Sequence, residues 1–130
     1  MNWHIDHSPL PDYIRASLEG TPTLEDYQVF WSEVIGSENW RPGTPILKDI
    51  RNREPLGSDG YNIVRGIAEY LTSEKERVGK SRLAIVANAS DGYSYGRVLE
   101  YAVRIRNSGM VIRTFGDESA AIEWLGQSRR

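Results

Sequence analysis

The chain has no cysteine, which excludes disulfides, thiolate metal sites and cysteine nucleophiles. Histidine is almost as scarce: His4 and His7 are the only two. A zinc site with three ligands would need carboxylates from elsewhere, and nothing in the sequence assembles a Ser-His-Asp triad around either ring. In an extended segment His4 and Asp6 share a face while His7 points away, so the group reads as solvated polar residues on an edge strand. Charge of one sign is also missing. Sixteen basic residues against eighteen acidic ones leave −2, with no electrostatic footprint for nucleic acid. No apolar run approaches the ~20 residues of a membrane span. Positions 1–7 lack the basic start and apolar stretch of a signal peptide, so a cytoplasmic location is the expectation.

What the chain does have is length for one core and a regular rhythm. Its 130 residues, 39% of them hydrophobic, suit one domain over 1–130. From Tyr13 onward, strand-like and helix-like segments alternate. Such alternation predicts an α/β domain with a mainly parallel five-stranded sheet. Residues 3–7 read as a first strand. Ile14, Ala16 and Leu18 alternate with Tyr13, Arg15, Ser17 and Glu19 in a second, and the Pro-rich turn at 8–12 makes the pair an antiparallel hairpin. Thr23 is a helix N-cap with Asp26 three residues on, and Leu24, Tyr27, Phe30 or Trp31, and Val34 recur at helical spacing. Residues 45–50 form the third strand and 51–57 a polar loop. Ser58 or Asp59 caps a second helix carrying Tyr61, Val64, Ile67, Ala68 and Leu71. Residues 72–80 are charged and solvated. Residues 82–88, the most apolar strand, belong at the sheet centre. A Gly- and Tyr-rich loop follows at 89–96, then a helix with Val98, Leu99, Ala102 and Ile105. A last strand at 110–115 and a short helix from Asp117 close the chain.

Arg15, Glu19, Lys48 and Arg113 fall on strands where a doubly wound sheet would bury both faces. They predict helices gathered mostly on one face, the other being open. With Trp3 and Tyr13 near it, the open face is a candidate homodimer surface.

Val78-Gly79-Lys80-Ser81 looks like a fragment of a phosphate-binding loop. Such a loop needs glycine where this chain has Glu74, and it opens a helix after a strand, whereas this segment precedes a strand. The more informative cluster is at the carboxyl ends of the strands, where parallel α/β sheets bind ligands. There stand Asp49, Arg51, Asn52 and Arg53; then Ser58 and Asp59; then Asn88, Ser90, Asp91, Tyr93 and Tyr95; then Thr114 and Asp117. Ser58, Asp91 and Asp117 also suit plain helix caps. A phosphate on Ser58 would gain from the helix N-terminus, and from Arg51 or Arg53 where they reach it. Gly96 would let its helix approach the sheet or a ligand closely.

Taken in order, the N-terminal hairpin, the Gly20-Thr-Pro-Thr-Leu-Glu-Asp26 helix start, the strand ending Leu47-Lys-Asp49, Leu83-Ala-Ile-Val86 followed by Tyr95-Gly96, and the closing Asp117 to Leu125 helix resemble the SpoIIAA-like proteins. These are relatives of STAS domains (anti-sigma-factor antagonists) and of a lipid-binding fold. The resemblance implies a βα superhelix with strands in consecutive order. Among anti-sigma-factor antagonists a serine opening the helix after the third strand is phosphorylated by a partner kinase, and Ser58 sits in that place. Here Gly57 precedes it and Asp59 follows, unlike the usual aspartate before and Ser-Gly after.

The sequence therefore supports a non-enzymatic regulatory module with a kinase-like protein partner. Ser58 is its candidate phosphorylation site; Asp49, Arg51, Asn52, Asp59, Asn88, Ser90, Asp91 and Tyr95 form its candidate surface. The alternative is a carrier or sensor of a small apolar or lipid-like ligand, in a cavity lined by Tyr27, Phe30, Trp31 and Ile67. No cofactor or metal is implied, and no nucleophile–base pair points to an enzyme.

Overall fold

The computed structural model describes residues 1–88 and 90–127; of residues 90–93 and 105 only the backbone is described. The hairpin of β1 (Asn2–Asp6) and β2 (Ile14–Gly20) leads into α1 (Leu24–Ile35). Then follow β3 (Ile46–Arg53), a 3-10 turn at Gly57–Asp59, α2 (Gly60–Ser73), the single turn α3 (Lys75–Val78), β4 (Arg82–Val86), α4 (Ser90–Ile105), β5 (Val111–Phe115) and α5 (Glu118–Gln127). The strands lie in the order β1-β2-β3-β4-β5, β1 antiparallel to β2 and the others parallel. Among the described residues no helix is long and apolar enough to cross a membrane.

The side-chain alternation of the strands divides the core. Ile14, Ala16 and Leu18 of β2, Ile46 and Ile50 of β3, Leu83 and Ile85 of β4 and Ile112 of β5 face α1, α2 and α4. Leu47, Ala84 and Val86 face the other way and meet Ala121, Trp124 and Leu125 of α5. Three long helices on one face and one on the other match the expected one-sided layering.

The start of α1 is fixed locally. Thr23 Oγ1 accepts from the Asp26 amide at 3.1 Å and Asp26 Oδ2 accepts from the Thr23 amide at 3.1 Å, a reciprocal cap in which the Thr side chain contributes about 1 kcal/mol. Tyr27, Phe30, Trp31 and Val34 are fully buried, each stabilising the fold by roughly 1.5–3 kcal/mol through the water it sheds.

The structure departs from the sequence reading in five places. First, β3 runs on to Arg53, so the polar loop is shorter than 51–57. Second, the segment 89–96 is not a loop up to Gly96: α4 begins at Ser90. Gly92 and Gly96 weaken the local helix signal, but Tyr95, Leu99, Ala102 and Val103 recur at helical spacing and are buried, and packing overrides propensity. Third, α3 folds within the charged segment and buries Val78. Fourth, neither Ser58 nor Asp59 makes a side-chain cap bond to α2, which is entered through the 3-10 turn instead. Fifth, Lys48 does not mark an open face. It shares the parity of Ile46 and Ile50 and is completely buried. Trp3 likewise turns inward, meeting the Phe30 ring edge-on at 5.9 Å between centroids and donating through Nε1 to Glu33 at 2.8 Å. It therefore does not lie on the open face.

Candidate functional site

Lys48 sits mid-strand in a run that is otherwise apolar on its side of the sheet. One helical turn apart on α1, Tyr27 and Trp31 place their ring centroids 5.1 and 5.6 Å from its Nζ. From α4, Tyr95 brings its hydroxyl to the amine, and Nζ donates to Oη at 2.8 Å. The Tyr27 and Tyr95 rings stack at 6.2 Å.

A second cation enters the same space because of an irregularity in the sheet. Ser17 pairs with Asp49, yet Glu19 pairs with Asn52, so two steps of β2 span three of β3. An extra residue of this kind reverses the facing of everything after it. Without it Arg53 would have the parity of Asp49 and Arg51 and point toward α5. With it, Arg53 turns to the Lys48 side, donates through Nη1 to Tyr27 Oη at 2.6 Å and lays its guanidinium 4.3 Å from the Tyr95 ring centroid.

Two basic side chains are thus enclosed by three aromatic rings. Among the described side chains neither forms an ion pair. Arg53 Nε and Trp31 Nε1 are buried without a hydrogen-bond partner. Burial, reinforced by the neighbouring Arg53 charge, holds Lys48 well below its ordinary range. Burial likewise pushes the Tyr27 phenol up, and the Tyr95 phenol well up. The lowered Lys48 pKa reduces the cost of burying the amine without a counter-charge.

Beside this box, at the carboxyl end of the sheet, a groove of about 510 Å³ opens between α2 and α4. Its walls are mainly apolar: Leu56, Val64 and Val98, with the rings of Tyr61 and Tyr95. Tyr61 and Val98 are exposed, at 72% and 47%. Tyr95 belongs to both places, lining the groove while touching both cations. Gly96 makes this proximity possible. A Cβ there would lie 2.2 Å from Thr114 Oγ1, so α4 packs on β5 with no room for a side chain.

The candidate residues from the sequence divide among separate places. Ser58 and Asp59 are exposed on the turn at the groove's rim, where Asp59 Oδ1 accepts from Asn62 Nδ2 at 3.1 Å. Tyr95 forms the groove's inner wall. Asn88 is exposed beyond β4. The side chains of Ser90 and Asp91 lie outside the described residues. Asp49 and Arg51 face the opposite side of the sheet and join a network there. Arg51 Nε and Nη2 donate to Asp49 at 2.9 and 2.8 Å, and Arg15 Nη2 reaches Asp49 at 2.9 Å. Both guanidinium groups also hold Glu118, the first residue of α5, at 2.7 and 2.8 Å. The network ties β2 and β3 to α5. Asn52 is exposed near Glu19 and His4, away from the groove. Among the described residues no hydrogen bond joins Arg51 or Arg53 to Ser58; their side chains are given to Asp49, Glu118 and Tyr27.

Sequence reasoning does not bring the box together: it sets Tyr27 and Trp31 on an apolar cavity, Arg53 and Tyr95 in the strand-end cluster, and Lys48 on an open face. A lysine sharing the parity of Ile46 and Ile50 was the available signal. Arg53's inward turn had none, because a bulge arises from pairing with β2. The cavity expected among Tyr27, Phe30, Trp31 and Ile67 is not formed: those four are packed core. The groove is a different place, and none of the four lines it. Among the described residues no group of three or more His, Asp or Glu could hold a metal ion.

The consecutive strand order, the single antiparallel edge strand and the one-sided helices define a SpoIIAA-like fold. The crystal structure of an uncharacterized protein from the DUF3478 family with a SpoIIAA-like fold, from Shewanella loihica PV-4, superposes with a TM-score of 0.61 at 20% identity. The match covers 95% of this chain and 92% of that one. At that identity the likeness shows the fold alone. No protein-family model matches the chain, and no curated protein matches it.

Proposed function

We propose that the protein is a non-catalytic carrier or sensor of a small apolar or lipid-like molecule, held in the groove between α2 and α4. The observation that carries this reading is the groove itself: a concave, mainly apolar site at the strand ends, where α/β sheets receive ligands. Among the described side chains Lys48 is enclosed, and Asp49 and Glu118 are taken up in the Arg15–Asp49–Arg51–Glu118 network. That supports binding over catalysis. Gentle purification from native cells, followed by solvent extraction and mass spectrometry, tests it. A stoichiometric small molecule with an apolar portion is expected. Extracts without one, together with no saturable binding of any medium-chain alcohol, would remove the reading.

A second reading is favoured by the place of Ser58. It is exposed on the turn whose neighbours Gly57 and Gly60 line the groove, so a phosphate there would alter the rim. On this reading the protein is a regulatory module for a protein partner, switched at Ser58 by a kinase-like regulator. Phosphate on the tryptic peptide 54–65, with partner capture changed by Ser58→Asp, is the expected result. Partner binding indifferent to both Ser58→Ala and Ser58→Asp would end it.

A further inference from the structure

Two buried basic groups, Lys48 and Arg53, with no ion-pair partner among the described side chains, stand behind the wall of an apolar groove, and they suit a negative charge at one end of an apolar molecule. We infer that the groove's occupant is a long-chain carboxylate, its alkyl chain lying along Leu56, Val64 and Val98 and its carboxylate received by Lys48 and Arg53 when the Tyr95 side chain swings aside. This rests on the groove reading above and names its ligand class.

Three observations carry it. Tyr95 is shared between groove and cations, so moving that one side chain joins the two spaces. Arg53 is nine-tenths buried, with Nη1 given to Tyr27 and Nε unpartnered. Its Nε and the Lys48 amine, released from Tyr95, offer two donors to the two oxygens of a carboxylate. A phosphate would carry more charge into a site walled by Tyr27, Trp31 and apolar core, at a higher desolvation cost.

The titratable groups facing Lys48 are Tyr27, Tyr95 and Arg53, and none of them is a carboxylate. A carboxylate arriving beside Lys48 favours its ammonium form, so the Lys48 pKa rises on binding.

The test is calorimetric titration of the intact chain with dodecanoate, dodecanol and dodecyl phosphate. Dodecanoate is expected to bind at least about tenfold more tightly than dodecanol. Lys48→Met and Arg53→Met are each expected to remove most of that preference while leaving dodecanol binding intact. Dodecanol binding as tightly as dodecanoate to the wild-type protein would overturn the carboxylate site and leave the groove reading standing. Tighter binding of dodecyl phosphate would overturn the choice of carboxylate. Binding of none of the three would overturn both readings. Because the first comparison uses only the wild-type chain, a variant that fails to fold does not spoil it.

Discussion

Lys48 Nζ donates to Tyr95 Oη at 2.8 Å inside a space that water does not reach, and this bond joins the middle strand of the sheet to α4. A buried donor or acceptor that loses its partner costs roughly 1–3 kcal/mol, whereas replacing both partners by apolar groups can be nearly neutral. Tyr95→Phe and Lys48→Met are therefore each expected to lower the unfolding free energy by about that amount, and the double variant to lose less than the sum of the two. Urea unfolding of the four proteins measures this; a double-variant loss equal to the sum of the single losses would mean the pair is not coupled as described.

The groove can be blocked from outside. Val98 lines it and is half exposed, so an indole there would fill the space without entering the core. Val98→Trp should leave stability within about 1 kcal/mol of wild type and cut dodecanol affinity at least about tenfold. Retained affinity would place the ligand elsewhere.

Acid should release α5. The hydrogen bonds from Arg15 hold the Glu118 carboxyl below its usual range. For Asp49, burial pushes upward, but the bonds from Arg51 and Arg15 outweigh it and the carboxyl also ends below its usual range. A carboxyl lowered in the folded state contributes stability that is present above its unfolded value, near about 4, and is lost as pH falls through the folded value. Wild-type stability should therefore drop steeply below about pH 4. Arg15→Met, with the network already broken, should show a shallower drop. Parallel profiles would show that the network contributes nothing.

Gly96 tests the packing of α4. Its added Cβ would overlap Thr114, a β-branched residue fixed in a strand, so Gly96→Ala should cost about 1–3 kcal/mol and shift the near-ultraviolet signal of the adjacent Tyr95. Gly126 is the control. Nothing lies within 4 Å of a Cβ there, and Gly126→Ala should be neutral or stabilising by up to about 1 kcal/mol.

How much of this could be read from the sequence depended on whether the cause was local. The hairpin, the Thr23–Asp26 cap and the strands at Leu83 and Val111 follow from alternation and capping chemistry within a few residues, and all stand in the structure. The start of α4 was missed because glycines at 92 and 96 mask a helix whose stability comes from burying Tyr95 and Leu99. The site residues were legible as types and not as neighbours. Asp49 and Arg51 stand in the carboxyl-terminal half of the third strand, toward the end where ligand-binding residues gather, but their parity sends them to α5, where Glu118 from 67 residues away holds Arg51. Arg53, two positions on, reaches the other face through a bulge that no local pattern announces.

The groove as a ligand site is tested most directly by following the methyl resonances of the intact chain during titration with dodecanol. Saturable shifts at Leu56, Val64 and Val98, with Ile122 and Leu125 on the opposite face unmoved, are the expected result. Shifts absent at all five, or confined to Ile122 and Leu125, would contradict the site.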